Sequence, residues 1–371
     1  MKSILSVGMD VHKNSFSLCA YDGYTGEIVS ESTFASDVKL VIKFIETLKS
    51  RYENDVEIKC GYEAGCLGYS LYKSLTSRGV DCVILAPTTM QVSAKNKMVK
   101  NDRMDALNIA KNLASGSYKA VYVPDEEDVE IKEYIRMIHD FKKELKRVKQ
   151  EICAFVLRHG YQYDGKSKWT IRYMNWIREL EMSEIQRETL NEYIAEMENL
   201  NNKIDRFMNR IDEMYQSERY HEKVSKLRCF KGIDTFAAMT IQVETADFER
   251  FPNAKAYASY TGLTTGEHSS GDKNNRIGIT KQGNTVIRKT LVECAQSLVK
   301  GNVYAKKSQR LKSRQKGMDV NIIAYADKAT ERLKKKYQKL IERNVPRNKA
   351  IVAVARELAC FIWGMETGNI H

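Results

Sequence analysis

Residues 4–21 read ILSVGMDVHKNSFSLCAY, two short β-prone runs joined by a polar turn. Residues 27–33 form a third such run, and the three runs predict neighbouring antiparallel strands near the start of the chain. Downstream, the spacing of apolar residues alternates between helix and strand periods. Elements are expected at 39–48 (helix), 56–62 (strand), 67–77 (helix), 81–85 (strand) and 104–113 (helix). This order predicts a mixed α/β fold with a partly parallel sheet.

The middle of the chain has a different hydrophobic period. From Ile131 to Gly160 the apolar residues follow a heptad-like spacing, and from Leu190 to Met214 they step alternately by three and four residues. The second run is preceded by a stretch of the capping-box form, Ser183–Gln186. We expect two long helices that pair as a coiled coil, either within one chain or across a dimer. A plain helical linker is the alternative.

The last part of the chain is distinguished by its charge. Beyond about residue 226, glycine-rich loops give way to basic helices, so we divide the chain into residues 1–125, 126–225 and 226–371. Residues 301–350 hold 15 Lys or Arg and 4 Asp or Glu, a net charge of +11, whereas the whole chain carries +12. This concentration favours contact with a polyanion such as DNA over a merely solvated helical face.

Composition excludes several classes of protein. With 43% hydrophobic and 29% charged residues in 371, the chain is neither disordered nor fibrous. No run approaches the roughly 18 apolar residues of a membrane span, and the opening residues lead directly into a strand, so neither a membrane nor a secreted protein is expected. The eight cysteines occur singly and without zinc-site spacing, which is typical of reduced cytosolic proteins.

Four acidic residues mark one edge of the predicted sheet. Asp10 follows the first apolar strand, Glu63 ends a later strand, and Asp102 and Asp105 open a helix on one of its faces. Carboxylates gathered in this way repel one another unless a cation neutralises them, and all-oxygen ligation suits Mg²⁺ or Mn²⁺. Two such ions stabilise the attacking and leaving oxygens of a phosphodiester. Each acid also has a structural alternative, such as a helix N-cap for Asp102.

A polar loop in the last region contains a hydroxyl pair, Ser269-Ser270, directly before Gly271. A serine becomes an effective nucleophile only with the help of a base, a charge field or a metal. Nearby cations would bind a scissile phosphate and stabilise its transition state. The candidate nucleic-acid-binding residues are Lys273, Arg276, Lys281, Arg288 and Lys289. A flexible polar loop is the structural alternative.

Upstream of that loop, the turn from Cys229 to Asp234 and the helix that follows resemble half of a helix-hairpin-helix. In that motif a turn centred on glycine presents backbone N–H groups to a DNA phosphate. A single hairpin of this kind is only weakly diagnostic of DNA binding.

The acidic and serine segments, in this order and separated by a long helical part, resemble the DEDD-type insertion-sequence transposases, relatives of the pilin-gene invertases. The N-terminal signature is matched by Gly8-Met9-Asp10, Tyr62-Glu63-Ala64-Gly65 and 100–106. The C-terminal signature is matched by Gly232-Ile233-Asp234, 258–264 and 270–284. Two stretches depart from the family pattern: Lys231-Gly232-Ile233-Asp234 stands for Pro-Gly-Ile-Gly, and Thr265 stands for the proline of Leu-Thr-Pro.

The resemblance implies an α/β ribonuclease H-like (RuvC-like) N-terminal domain, a long helical coiled-coil insertion and a mainly α-helical C-terminal transposase domain. It also implies that the four acids bind Mg²⁺ or Mn²⁺ and that Ser270 attacks DNA to form a covalent phosphoserine intermediate. Family members resemble oligomeric recombinases, dimers or tetramers, in which acids and serine come together between subunits. Several work with a noncoding RNA that pairs with target and donor DNA, as in RNA-guided nucleases. A cytoplasmic, nucleoid-associated protein is expected.

The residues alone also allow two other functions. A RuvC-like junction nuclease would use a metal-activated water and give Ser270 no role. A non-catalytic nucleic-acid-binding protein would use the acids only to stabilise its fold. The leading expectation is a transposase or site-specific recombinase that mobilises an insertion sequence.

Overall fold

The structure, a computed structural model, describes residues 3–52, 55–65, 67–91, 101–267, 276–303 and 305–370. The chain divides into two compact units, Met1–Pro124 and Asp125–His371. Further division of the second unit at residues 225 and 226 stays a prediction. No helix among the described residues is both long and apolar enough to cross a membrane.

The first unit is built on a five-stranded mixed sheet. Its strands are β1 (Ser3–Val11), β2 (Ser15–Asp22), β3 (Ile28–Ala35), β4 (Val56–Glu63) and β5 (Asp81–Leu85). They lie in the order β3-β2-β1-β4-β5, with β1, β2 and β3 antiparallel and with β4 parallel to both β1 and β5. The predicted mixed, partly parallel sheet is therefore confirmed, and it is consistent with a ribonuclease H-like fold.

In the described part of the first unit, three α-helices accompany this sheet: α1 (Val38–Arg51), α2 (Ser70–Thr76) and α3 (Asp102–Ser115). Helix α1 begins where the side chain of Asp37 accepts a hydrogen bond from the backbone N–H of Lys39, at 2.8 Å. Helix α2 starts three residues later than the predicted 67–77, because Gly68 adopts a left-handed backbone with φ of 56° and interrupts the helical run.

Two glycines explain how closely α3 packs on the sheet. Gly8 of β1 and Gly61 of β4 are partners in the parallel register. A Cβ atom on Gly8 would lie 2.1 Å from the carbonyl oxygen of Ala106 and 2.3 Å from the nitrogen of Ala110, both in α3. The absence of a side chain at Gly8 therefore allows the backbone of α3 to lie almost against β1.

The second unit is mainly helical. Its helices are α4 (Glu126–Arg158), α5 (Ile171–Glu179), α6 (Glu184–Tyr215), α7 (Glu218–Arg228), α8 (Thr235–Thr245), α9 (Ala254–Tyr260), α10 (Thr285–Leu298), α11 (Gln309–Gln315), α12 (Val320–Glu342) and α13 (Arg347–Glu366). A two-stranded antiparallel sheet of β6 (Thr265–Glu267) and β7 (Arg276–Ile279), which the sequence pattern did not predict, lies between α9 and α10.

The two long helices α4 and α6 pack against each other within the chain. Ile152 near the end of α4 shares a buried cluster with Leu190 near the start of α6, and Ile135 near the start of α4 shares another with Ile211 near the end of α6. The helices therefore run antiparallel. The predicted capping box is present at Ser183, whose side chain and that of Gln186 exchange hydrogen bonds with each other's backbone. Coiled-coil packing across a dimer stays a prediction.

Candidate metal centre and nucleic-acid interface

The sheet brings two of the predicted acids to the same level. Met9 of β1 pairs with Tyr62 of β4 in the parallel register, so the next residues, Asp10 and Glu63, follow side by side at the carboxyl ends of adjacent strands. Side chains alternate along a strand, so Asp10 lies on the face that carries Gly8 and packs against α3. Glu63 is exposed, and the Asp10 side chain is 17% exposed.

Helix α3 places the other two acids at its first turn. The side chain of Asn101 caps the helix by accepting a hydrogen bond from the N–H of Met104 at 2.9 Å. Asp102 is therefore the first helical residue, not the N-cap, and Asp105 follows on the same face. The positive end of the helix dipole favours negative charge at this turn, which helps to hold the two carboxylates there.

A histidine completes the cluster. The Nε2 atom of His12 lies 3.2 Å from Oδ2 of Asp10 and 3.7 Å from Oδ1 of Asp102. One ligand atom from each of these three side chains lies within 4.8 Å of the others. Among the described residues, Glu63 and Asp105 do not join this closest set. Asp10, His12 and Asp102 can thus contact a single bound ion.

The sequence analysis missed His12. It lies in the turn between β1 and β2, where its N–H donates to the carbonyl of Ser15 at 2.9 Å. The available signal was its spacing: two residues beyond Asp10, it falls on the same side of an extended chain. Because the contact with Asp102 depends on the tight turn and on the position of α3, the spacing alone did not reveal it.

The electrostatics of Asp10 fit a cation site. Burial raises the pKa of the Asp10 carboxyl above its ordinary value, the charge and hydrogen bond of His12 lower it, and the negative charges of Asp102 and Asp105 raise it again, with a net rise. Burial and the repulsion from the two neighbouring carboxylates therefore outweigh the effect of His12 on the pKa of Asp10. A divalent cation would remove the repulsion. Carboxylates favour Mg²⁺ or Mn²⁺, whereas an imidazole also binds metals such as Zn²⁺ and Fe²⁺, so this set of ligands distinguishes Mg²⁺ or Mn²⁺ from other metals less strictly than carboxylates alone would.

The predicted serine loop is only partly described. Ser269, Ser270 and Lys273 lie outside the described residues, and of Arg276 only the backbone, at the start of β7, is described. Their segment joins β6 to β7.

The predicted cations after the loop have different surroundings. The Nη1 atom of Arg288 donates to the carbonyl oxygens of Lys281 at 3.1 Å and of Thr261 at 3.3 Å, so this guanidinium is engaged in joining the backbone at residues 261 and 281. Lys281 is exposed, with a left-handed φ of 56°. Lys289 is also exposed and lies 3.9 Å from Glu293 on the same helix. Lys281 and Lys289 are therefore better placed than Arg288 to contact a phosphate.

A buried carboxylate that the sequence analysis did not single out organises this part of the second unit. The side chain of Glu244, on α8, is fully buried and accepts hydrogen bonds from Arg136 Nε at 2.9 Å and from Asn284 Nδ2 at 2.7 Å, with Lys132 Nζ at 3.3 Å. Burial alone would raise the pKa of Glu244, but these partners hold it below its ordinary value. Because Asn284 caps α10, Glu244 links α4 and α8 to the helix that carries Arg288 and Lys289.

The turn that resembled a helix-hairpin-helix packs against α10 through Gly232, whereas Asp234 is exposed. Gly232 has a left-handed φ of 91°, and a Cβ atom there would lie 2.6 Å from the carbonyl oxygen of Cys294 in α10. Asp234 is the N-cap of α8 and accepts a hydrogen bond from the N–H of Ala237 at 2.9 Å. Asp234, which departs from the family pattern at this turn, therefore has a structural role as a helix cap.

The basic segment forms a regular surface on α12. Five exposed cations follow one another at steps of four, three, four and four residues, which keeps them near one side of the helix. We call these residues the α12 basic stripe: Lys328, Arg332, Lys335, Lys339 and Arg343. A stripe of this kind is suited to following a nucleic-acid backbone.

Comparison with known proteins identifies the chain. A sequence model of transposases of the IS110 DEDD type matches residues 7–160, and that of the Transposase IS116/IS110/IS902 family matches residues 224–309. The chain is 31% identical over 92% of its length to the "Transposase for insertion sequence element IS1533" of Leptospira borgpetersenii, 97% of which is covered. The chain belongs to the IS110 family of insertion-sequence transposases.

Other relatives of this IS110-family transposase agree. It is 32% identical, over 97% of its length and 87% of the relative, to "Putative transposase y4qE" of Sinorhizobium fredii. It is 23% identical to the "Transposase for insertion sequence element IS1111A" of Coxiella burnetii, with 88% of each chain covered. The IS110-family transposase is thus an enzyme that acts on DNA in transposition. Its DEDD domain is of a type that typically uses divalent metal.

Proposed function

We propose that this IS110-family transposase cuts and rejoins DNA strands by metal-assisted attack of Ser270 on a phosphodiester, with a noncoding RNA directing it to its sites. The observation that carries the proposal is the cluster of Asp10, His12 and Asp102, whose ligand atoms lie within 4.8 Å of one another. The raised pKa of Asp10, caused by burial and by the neighbouring carboxylates, supports a cation at this position.

The residues that would hold the ion are Asp10 and Asp102, with Glu63 and Asp105 as the other two members of the acidic set that the family resemblance implies. When bound, Mg²⁺ or Mn²⁺ supplies positive charge that neutralises the phosphate and the developing charge of the transition state. His12 keeps the Asp10 carboxylate oriented through its contact at 3.2 Å. The first turn of α3 holds Asp102 and Asp105 on one face, towards the same ion.

The proposed covalent step conserves the number of phosphate ester bonds. The hydroxyl oxygen of Ser270 forms a bond to phosphorus, the bond between phosphorus and the oxygen of the leaving strand breaks, and the serine proton is transferred to the released oxygen. The phosphoserine ester then accepts a hydroxyl of a different strand, which regenerates Ser270. No external energy source is needed, because each ester that breaks is replaced by another.

The rest of the proposal concerns the assembly of the protein and its contacts with nucleic acid. An oligomer, a dimer or a tetramer, would supply the acids and Ser270 from different chains. Base pairing with the RNA would provide sequence recognition, so that the protein itself needs mainly contacts with the sugar–phosphate backbone. The α12 basic stripe, together with Lys281 and Lys289, is suited to such contacts.

The deciding experiment incubates the full chain with DNA of the element ends and target, the flanking transcript and Mg²⁺, followed by denaturing electrophoresis. We expect a covalent protein–DNA adduct that disappears in Ser270→Ala and in Asp10→Asn but persists in the control Ser269→Ala. Cut DNA without an adduct, retained in Ser270→Ala, would instead indicate a nuclease that uses water. Intact DNA with every variant, together with tight DNA binding, would indicate a non-catalytic binding protein.

A further inference from the structure

A cavity of about 750 Å³ lies in the second unit, between α4, the segment after it and α5. Its volume is within the range of about 300–1,000 Å³ that is usual for ligand sites. Its walls combine four lysines with five aromatic residues, and none of the described residues that line it is acidic. We call it the hairpin cavity. None of the acids or cations predicted for the catalytic site lines it.

One wall of the hairpin cavity is a row of lysines on α4. Lys142, Lys146 and Lys149 recur at steps of four and three residues, so all three lie on one face of the helix. The row extends about 10 Å along the helix, at 1.5 Å per residue. Lys168, from the segment after α4, adds a fourth cation and lies 3.6 Å from the sulfur of Cys153 at the end of the row. The ammonium of Lys142 lies 3.6 Å from the centre of the Phe236 ring, so the charges of Lys146, Lys149 and Lys168 are the ones suited to a chain of negative charges.

An assembly of aromatic rings lies beside this row, and the ammonium of Lys149 is 5.3 Å from the centre of the Trp169 ring. Tyr163 packs edge-on against Tyr173 with the ring centres 5.0 Å apart, and Trp169 packs on the same tyrosine at 5.1 Å. Trp176 lies 5.0 Å from Tyr163. Tyr173 is buried, whereas Tyr163, Trp169 and Trp176 are half-buried and have surface free to face the cavity.

The backbone that presents these rings is constrained. Trp169 has a left-handed φ of 64°, an unusual conformation for a bulky residue that marks stored strain. A Cβ atom on Gly165 would lie 2.3 Å from the ring of Tyr163, so only glycine allows that ring to fold back over the loop. Such a loop holds its aromatic rings in place before a ligand arrives, which lowers the entropic cost of binding.

We infer that the hairpin cavity binds unpaired nucleotides of a single-stranded nucleic acid, with bases stacked on Trp169 and Trp176 and phosphates on the lysine row. Lysines beside aromatic faces are the combination that binds single strands without sequence preference. A duplex hides its base faces, so it cannot use the rings. A methylated lysine, the other usual guest of aromatic cages, would be repelled by the four lysines.

The inference goes beyond the proposed strand chemistry and does not depend on it, because binding needs neither Ser270 nor a metal ion. RNA and DNA single strands share the chemistry that the hairpin cavity recognises. Lys142 and Lys146 also line a neighbouring cavity that includes Lys289, so the row continues towards a cation predicted to bind nucleic acid.

The test measures binding of the full chain, in EDTA, to fluorescein-labelled oligo(U) and oligo(dT) of about 12 nucleotides, within the usual site size. Two of the three tryptophans line the cavity, so the measurement is repeated by tryptophan fluorescence in a Trp363→Phe background, which removes the third. We expect both strands to bind and to quench the fluorescence. Tighter binding of oligo(U) would assign the site to RNA, and tighter binding of oligo(dT) would assign it to DNA.

Variants separate stacking from general attraction. Trp169→Ala is expected to weaken single-strand binding by about tenfold, the usual effect of losing one stacked base, while Trp169→Phe retains most of the affinity. The double variant Lys146→Glu, Lys149→Glu should weaken single-strand binding far more than a charge-matched control does. The control is Arg206→Glu with Lys223→Glu, whose two sites are on α6 and α7. The thermal midpoint of each variant shows whether it is folded.

Three results would overturn the inference. The first is unchanged single-strand binding by folded Trp169→Ala. The second is an equal loss of affinity in the lysine double variant and in its charge-matched control. The third is a polyglutamate peptide that displaces the oligonucleotide and quenches the tryptophan fluorescence to the same extent. The last would indicate an acidic protein segment as the ligand. Binding in EDTA is measured separately from adduct formation with Mg²⁺, so a failure of the strand chemistry and a failure of this site give different results.

Discussion

Substituting alanine for Gly8 tests how the metal centre is positioned without altering any acid. The added Cβ would lie 2.1 Å from the carbonyl oxygen of Ala106 and 2.3 Å from the nitrogen of Ala110, whereas ordinary contact begins near 3.4 Å. Because both are backbone atoms of α3, no side chain can rotate away, and the helix has to retreat from β1 by about 1 Å. Overpacking of this kind costs roughly 1–3 kcal/mol of stability.

The retreat would also separate the acids. Asp102 moves with α3, whereas Asp10 stays with β1, so the 3.2 Å and 3.7 Å contacts through His12 cannot both be kept. A displacement of about 1 Å in a catalytic constellation can lower the rate by about 100-fold. We therefore expect Gly8→Ala to fold with a lower thermal midpoint, to gain less stability from Mn²⁺ than the wild type and to lose most of its transposition activity.

Gly61→Ala is the matched control, because Gly61 is the register partner of Gly8. Its Cβ would meet the side-chain methyls of Leu85 at 2.7 Å and of Leu113 at 3.0 Å, which are able to shift. The control should keep more of the metal-induced gain in thermal midpoint, measured by differential scanning fluorimetry. If Gly8→Ala keeps the full gain, or if Gly61→Ala loses more of it, the close packing of α3 does not position the metal ligands.

Three further predictions concern the second unit. Glu244→Ala removes the buried carboxylate that faces the ammonium of Lys132, whose side chain is 11% exposed, and should cost about 3–5 kcal/mol in urea unfolding, whereas a loss below about 1 kcal/mol would contradict the role of Glu244. Burial raises the pKa of Glu366 from 4.5 to about 7, so the folded protein binds this proton more tightly than the unfolded chain does. The resulting contribution to stability is fully present below about pH 4.5 and is lost as the pH rises through 7. Glu366→Gln should therefore have a higher free energy of unfolding than the wild type at pH 8.5, by up to roughly 3 kcal/mol, and a stability difference that is the same at pH 5 and at pH 8.5 would refute this prediction. Lys328→Ala with Lys339→Ala should reduce the salt dependence of duplex DNA binding by about two counterions, and an unchanged slope would exclude this stripe from the interface.

Most of the first unit could be predicted from the sequence. Its strands are short apolar runs separated by polar turns, and such local patterns survive folding, so all five strands lie within about two residues of their predicted limits. The acids could be placed for the same reason, since Asp10 and Glu63 are defined by where strands end. Helix α2 was less accurate, because the left-handed conformation of Gly68 is not visible in hydrophobic spacing.

What the sequence could not supply are contacts between distant residues. The interaction of His12 with Asp102 joins a hairpin turn to a helix 90 residues away. Glu244 looks like one more polar residue of a helix, although its partners come from α4 and from the cap of α10. In both cases the residue types were ordinary, and only the tertiary structure brings them together.

The basic segment shows why a charge count is a weaker guide than a surface. Of the cations between residues 301 and 350, Lys334 is buried and donates to the carbonyl of Asn302 at 2.6 Å, and Arg314 donates to the carbonyl of Ile233. Such cations are committed to the fold and have little freedom to bind phosphate. The net charge of +11 therefore overstates the binding surface. What can follow a nucleic-acid backbone is the smaller set that α12 and its C-cap present at helical spacing, within which Arg332 is paired with Glu357 and Lys335 with Glu331.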